Sequence, residues 1–179
     1  MKTLVPKKAM DELKTLLDST DAETIDFAKD ESTLFFRIGQ RLLTSRQLTG
    51  QFPNYEAVLP KEITKSVTVQ GDELGSAIAR VAQFADERSR AVRLKLEKGE
   101  LKLSASSTEA GESEDSIEIS YNGDPLTIGF NAQYLVEFIK ASGAGEIKLE
   151  FKDPQSAGQM RPADSEDYKY RYIVMPMRI

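Results

Sequence analysis

A chain of 179 residues with 40% hydrophobic and 30% charged residues has enough apolar material for one domain, or one domain and part of another, and its net charge of −5 leaves nucleic-acid contact to local basic faces. With no cysteine and no histidine it has no disulfide, zinc–thiolate site, thiol nucleophile or Ser–His pair, and without a Gly-rich phosphate loop or nucleophile elbow neither a cofactor, a metal nor a catalytic role is expected. No apolar run approaches the roughly 20 residues a bilayer span requires, and MKTLVPKKAMDEL lacks a signal-peptide core, so a cytoplasmic protein with no membrane partner is expected.

Taken in chain order, the pattern repeats. Thr3–Val5 reads as a short strand, and Lys7–Asp18 as a helix with Met10, Leu13, Leu16 and Leu17 on its buried side. Strands follow at Thr24–Ala28 (Ile25 and Phe27 inward), Leu34–Ile38 and Arg41–Leu48. Gly50–Pro60 (GQFPNYEAVLP) carries two prolines and two aromatics, which predicts a structured turn with Phe52, Tyr55 and Leu59 packed.

The second unit has a strand at Ser66–Val69, then a helix from an Asp72 cap to about Phe84, with Leu74, Ile78 and Val81 buried. Ala91–Glu97, Leu101–Ala105 and Ser116–Tyr121 alternate as strands, and the run Glu112, Glu114, Asp115 reads as a solvated acidic loop. In the third unit Leu126–Gly129 precedes a helix over Ala132–Ala141, capped by Asn131, with Leu135, Phe138 and Ile139 inward. Glu146–Phe151, a short strand around Gln159–Met160, and Tyr168–Met175 complete it. The fold class is therefore α+β, three β-α-β-β-β units. One helix cannot cover a sheet face, so such units should pair, and the first has no partner in this chain.

The ending YRYIVMPMRI alternates as a strand until Pro176, which has no N–H to give to a central ladder. An apolar end flanked by Met175 and Met177 suits a surface that accepts varied partners, because methionine repacks at low cost; a final strand capping a sheet is the plainer reading.

QFPNYEAVLP, GFNAQYLVEFI (Gly129–Ile139) and YIVMPMRI, in that order and with the repeated unit, resemble the bacterial sliding clamp, the DNA polymerase III beta subunit. The resemblance implies a DNA-clamp fold: residues 1–60 as the second half of a middle domain with its linker, residues 61–179 as a complete C-terminal domain, and a first domain absent. It implies a non-catalytic processivity factor of the replicative DNA polymerase in truncated form. Its partners would be double-stranded DNA, held weakly and without sequence readout, and peptides of DNA polymerases and the clamp loader.

Pro53, Val58, Asn131, Tyr134, Ile173, Val174, Met175, Pro176, Met177 and Arg178 match the family's peptide-binding positions, while a deeper subsite belongs to the absent half-domain. Lys7, Lys8 and Arg80 match DNA-facing positions, and Phe84, Glu112, Glu114 and Asp115 match an edge that meets the next subunit. Ala57 stands where many members have Arg, and Asp153–Gly158 is more polar than its counterparts. Two other readings stay open: a non-functional fragment, or a self-associating module in which first units pair as a symmetric homo-oligomer.

Overall fold

The three helices form where apolar spacing places them. Each has its apolar positions three and four residues apart, so one stripe faces a sheet. In a computed structural model describing residues 3–143, 145–164 and 168–178, the chain divides into two compact units, Met1–Asn54 and Tyr55–Ile179.

The first unit consists of helix α1 (Lys7–Asp18) over an antiparallel meander of β1 (Asp26–Lys29), β2 (Thr33–Ile38) and β3 (Arg41–Arg46), in the order β1-β2-β3. Its core is small: Leu13 against Leu34, Phe36 and Ile38. The Asp30 carboxylate accepts the backbone N–H groups of Ser32 and Thr33 at 2.9 and 2.7 Å, closing the first hairpin, and these bonds hold its carboxyl below the ordinary value.

Three expectations fail in this unit. Thr3–Val5 forms no ladder among the described residues; the Leu48 N–H donates to the Leu4 carbonyl at 3.1 Å. Ile25 is exposed rather than inward, and Phe27, which faces core Phe36 with ring centroids 5.0 Å apart, is still left 40% exposed because β1 is an edge strand. Met10 is exposed and Ala9 takes its place in the core, since the stripe of α1 is centred on Leu13.

The second unit opens with a 3-10 turn at Tyr55–Val58, followed by β4 (Lys65–Gln70), α2 (Gly71–Val81), a 3-10 turn at Ala82–Phe84, β5 (Ala91–Glu97), β6 (Glu100–Ser107) and β7 (Gly111–Glu118). Then come β8 (Leu126–Asn131), α3 (Ala132–Ser142), β9 (Glu146–Phe151), β10 (Gly158–Pro162) and β11 (Tyr172–Val174). The two modules exchange their leading strands. The sheets run β7-β6-β5-β8 and β11-β10-β9-β4, so β8 pairs with β5 of the preceding module, and β4 pairs with β9 of the following one.

Under the sheets α2 packs on α3, and one core joins Leu74, Ile78, Leu94, Phe130, Phe138 and Phe151. Phe130 and Phe151 stack across the two sheets with ring centroids 6.0 Å apart. Asn131 caps α3 as expected, its side-chain oxygen accepting the Gln133 N–H at 2.9 Å. Asp72 does not cap α2. Gln70 holds the cap position, and the helix starts at Gly71, whose missing Cβ leaves room for the Gly145 carbonyl that accepts its N–H at 3.0 Å.

Glu112–Asp115 is strand rather than loop, because β7 pairs with β6 along its whole length. The last strand is shorter than expected, only Tyr172–Val174. Phe52 and Tyr55 are more than half exposed, against the packing expected of them.

Candidate functional site

The end of the chain builds a surface in the second unit. β11 pairs with β10 through Val174, opposite Gly158. Val174 is buried in the core, and alternation turns Ile173 and Met175 to the other side, leaving Met175 65% exposed. Pro176 interrupts the ladder. One residue later Met177 donates its N–H to the Gly129 carbonyl at 2.8 Å, so the chain end leaves the sheet of β11 and touches the edge of β8.

Two depressions flank this crossing. One is lined by Val58, Pro60, Lys61, Glu62 and Lys152, by the loop residues Gln155, Ser156 and Ala157, and by Met175. The other, about 560 Å³, is lined by Arg93, Thr127, Ile128, Gly129, Pro154, Gln155, Pro176, Met177 and Arg178. Gln155 belongs to both. Arg93, Gly129 and Met177 stand in register across neighbouring strands.

The wall between the depressions is a fixed turn. Asp153 accepts hydrogen bonds from the Ser156 hydroxyl at 2.8 Å and from the N–H groups of Gln155 and Ser156 at 2.8 and 2.7 Å. These bonds, the Ser156 hydroxyl foremost, hold its carboxyl below the ordinary value. Gly158 ends the turn over the rings of Phe130 and Phe151; a Cβ there would lie 2.9 Å from the Phe130 Cζ. At the rim Lys152 meets Glu62 at 3.1 Å, an exposed pair of small energetic weight.

The structure thus brings Val58 and Met175 to one depression, and Pro176, Met177 and Arg178 to the other. Asn131 and Tyr134 line neither: the Asn131 amide caps α3 and also donates to the Ser89 carbonyl at 3.2 Å, while Tyr134 is half exposed on α3. Pro53 belongs to the first unit. Arg93 went unnoticed in the sequence, although it alternates with inward Val92 and Leu94; Gln155 was marked only as part of the polar segment Asp153–Gly158.

Lys7 and Lys8 are exposed in the first turn of α1, which holds no acidic residue. Two cations at the positive end of a helix dipole do not help the helix. Arg80 is bound to Asp115 on β7, Nε to Oδ2 at 2.7 Å and Nη2 to Oδ2 at 2.6 Å, and that guanidinium holds the Asp115 carboxyl below 3.8. Glu112 and Glu114 are exposed on β7, the outer strand of its sheet, and the turn bearing Phe84 packs against β6 and β7. Among the described residues no group of acidic side chains could hold a metal ion, and no helix is long and apolar enough to cross a membrane.

The family model of the DNA polymerase III beta subunit, C-terminal domain, matches residues 56–178. The beta sliding clamp of Caulobacter vibrioides (strain NA1000 / CB15N) is 34% identical over 176 residues, covering 98% of this chain and 46% of that protein. The beta sliding clamp of Proteus mirabilis is 35% identical, with 98% and 47% covered. The crystal structure of the DNA polymerase III subunit beta from Pseudomonas aeruginosa superposes with a TM-score of 0.92 at 33% identity, covering 100% of this chain and 48% of that one. The chain spans about half the length of these relatives. A clamp-like repeat of β-α-β-β-β modules, the match over the whole second unit and the shared fold agree: the chain belongs to the DNA polymerase III beta subunit family, the bacterial sliding clamps.

Proposed function

We propose that this chain serves DNA replication as a non-catalytic, truncated clamp, whose terminal strand receives short peptides from DNA polymerases and the clamp loader. The carrying observation is the convergence of Val58, Met175, Pro176, Met177 and Arg178 on one ordered turn, Asp153–Gly158. Exposed Met175 and half-buried Met177 supply adaptable apolar contact, Arg93, Arg178 and Gln155 supply polar contact, and the fixed turn costs little ordering on binding. Asn131, Tyr134, Ile173 and Val174 extend the same surface in this reading, with Asn131 and Val174 supporting it from behind.

In the same reading the first unit is the second half of a clamp middle domain and the second unit a C-terminal domain. Lys7 and Lys8 face the phosphates of duplex DNA, which accounts for two cations at the wrong end of a helix; Arg80 adds to them through its exposed side. β7, with Glu112, Glu114 and Asp115 beside Phe84, is the edge offered to a neighbouring subunit.

The test is fluorescence anisotropy with a labelled clamp-binding peptide of a replicative polymerase. Saturable binding is expected, weakened about tenfold or more by Met175→Asp, because a carboxylate then has to be buried against the peptide's apolar anchors. Absence of binding at millimolar chain, or binding indifferent to Met175→Asp and Val58→Asp, sinks the reading and leaves a fragment without this activity.

A further inference from the structure

The sheet β7-β6-β5-β8 turns its core side inward through Val92, Leu94 and Leu96, all fully buried. Its outer face therefore carries the residues between them, Arg93 and Lys95. Arg93 lies opposite Ser104 on one side and Gly129 on the other, and Gly129 meets Met177. Lys95 lies opposite Lys102 one step along the same face. The two lysines are neutralised. Lys95 Nζ is 2.8 Å from Glu97 Oε1, and Lys102 Nζ is 3.3 Å from Glu97 Oε2 and 3.5 Å from Glu100 Oε2. The arginines beside them are not. Among the described residues neither Arg93 nor Arg178 has an ion pair or a side-chain hydrogen bond, and both are exposed.

These two arginines line two depressions at once. The one of about 560 Å³ beside Pro176 and Met177 has no acidic residue in its lining. The other, about 240 Å³, adds Ser89, Ser104, Ser106 and Glu112 to the same two arginines. Glu112 is exposed and bonded to neither, so two guanidiniums share at most one carboxylate and a positive charge is left over. In a chain of net charge −5 this is a locally positive spot. A guanidinium is a planar donor that grips a carboxylate through two parallel hydrogen bonds, and serine hydroxyls can donate beside it.

We infer that Arg93 and Arg178 read charge in the bound peptide: an acidic residue flanking the apolar anchors lies with its carboxylate between them, at the mouth of the serine-lined depression. The inference rests on the peptide-binding reading and deepens it, from a surface for apolar anchors to one that also sorts partners by an adjacent charge. The occupant is a carboxylate on the peptide itself because the two arginines share one depression with Pro176 and Met177. A chain lying against the methionines carries a neighbouring side chain onto them. An extended chain advances about 3.3 Å per residue, so the acid falls within about one to three residues of the anchor that meets Met177.

The experiment is anisotropy with the labelled replicative-polymerase peptide in matched forms, carrying Glu, Gln or Lys next to the apolar anchors at either end. At about 20 mM salt the Glu form should bind about five- to tenfold more tightly than the Gln form at one end, and the difference should shrink as salt rises. Arg93→Glu should reverse the order so that the Lys form binds best, an outcome that also shows the variant to be folded. Glu112→Gln removes the competing carboxylate and should widen the Glu-to-Gln ratio about twofold. Equal affinities of the three forms at both ends overturn the inference and leave the peptide-binding reading standing. So does a Glu preference that persists in Arg93→Glu. Failure of every form to bind sinks the peptide-binding reading, and this inference with it.

Discussion

Met177 and Gly129 are joined by a backbone hydrogen bond of 2.8 Å that ties the chain's end to the edge of β8, three residues beyond the last strand residue, Val174. The bond explains how an apolar terminus interrupted by proline stays ordered. Pro176 cannot donate, so the chain steps out of one ladder and resumes on the other sheet one residue later. The two depressions on either side of Met175–Arg178 exist because of that step.

Substituting Met177 by proline removes the donor and leaves the Gly129 carbonyl without it. Stability should fall by about 1–3 kcal/mol, the usual cost of an unpaired buried backbone group. Peptide affinity should fall with it, because Met177 and Arg178 lose their register against Arg93. Thermal unfolding with peptide titration checks both, and a variant that keeps wild-type affinity speaks against a role for this crossing.

Asn131→Ala separates capping from contact. The Asn131 amide is occupied at both ends, accepting from the Gln133 N–H and donating to the Ser89 carbonyl. Its loss should cost about 1 kcal/mol of stability. Peptide binding should change much less than in Met175→Asp. Urea unfolding alongside anisotropy reads the two effects separately.

Phe138→Ala tests the tie between α3 and the terminal strand. Phe138 is fully buried and its ring lies 5.5 Å from that of Tyr170 and 5.3 Å from that of Tyr172. Removing it should destabilise the second unit by about 3–5 kcal/mol. Circular dichroism melting would register this, and a melting point near that of the unaltered chain would contradict the packing.

Asp115 gives stability an acid limb. Its folded-state carboxyl sits below 3.8 because Arg80 donates to it, so the unfolded chain binds that proton more readily. The contribution is present above pH 3.8 and is lost as pH falls through the lower folded-state value. Asp115→Asn should flatten the fall in melting temperature below about pH 4 relative to the unaltered chain. Equal slopes in both proteins would show that the pair adds nothing.

Lys7→Ala with Lys8→Ala should reduce the slope of log affinity against log salt for duplex DNA by about 2, if each lysine neutralises one phosphate. An unchanged slope in a salt series would place both lysines away from DNA.

The helices and most strands were legible in the sequence, since each is a matter of local spacing. Lys7–Asp18, Ala91–Glu97 and Glu146–Phe151 begin and end where the pattern puts them. What the pattern could not give is neighbourhood. Ile25 and Phe27 alternate like the inward residues of β5 and β9, yet alternation says only which side a residue faces, not whether a strand or helix lies there. Glu112–Asp115 looked like a loop because charge usually marks solvent; on an edge strand charge and pairing coexist.

By itself the sequence determined the modules and, through QFPNYEAVLP, GFNAQYLVEFI and YIVMPMRI, the family, because apolar period and short motifs are properties of adjacent residues. Only the tertiary structure decided which strands are central, that Arg93 and Gln155 join Met175 and Met177 on one surface, and that Val174 points away from it. Those facts rest on pairing between residues far apart in the chain, where one backbone hydrogen bond from Met177 fixes which side chains meet.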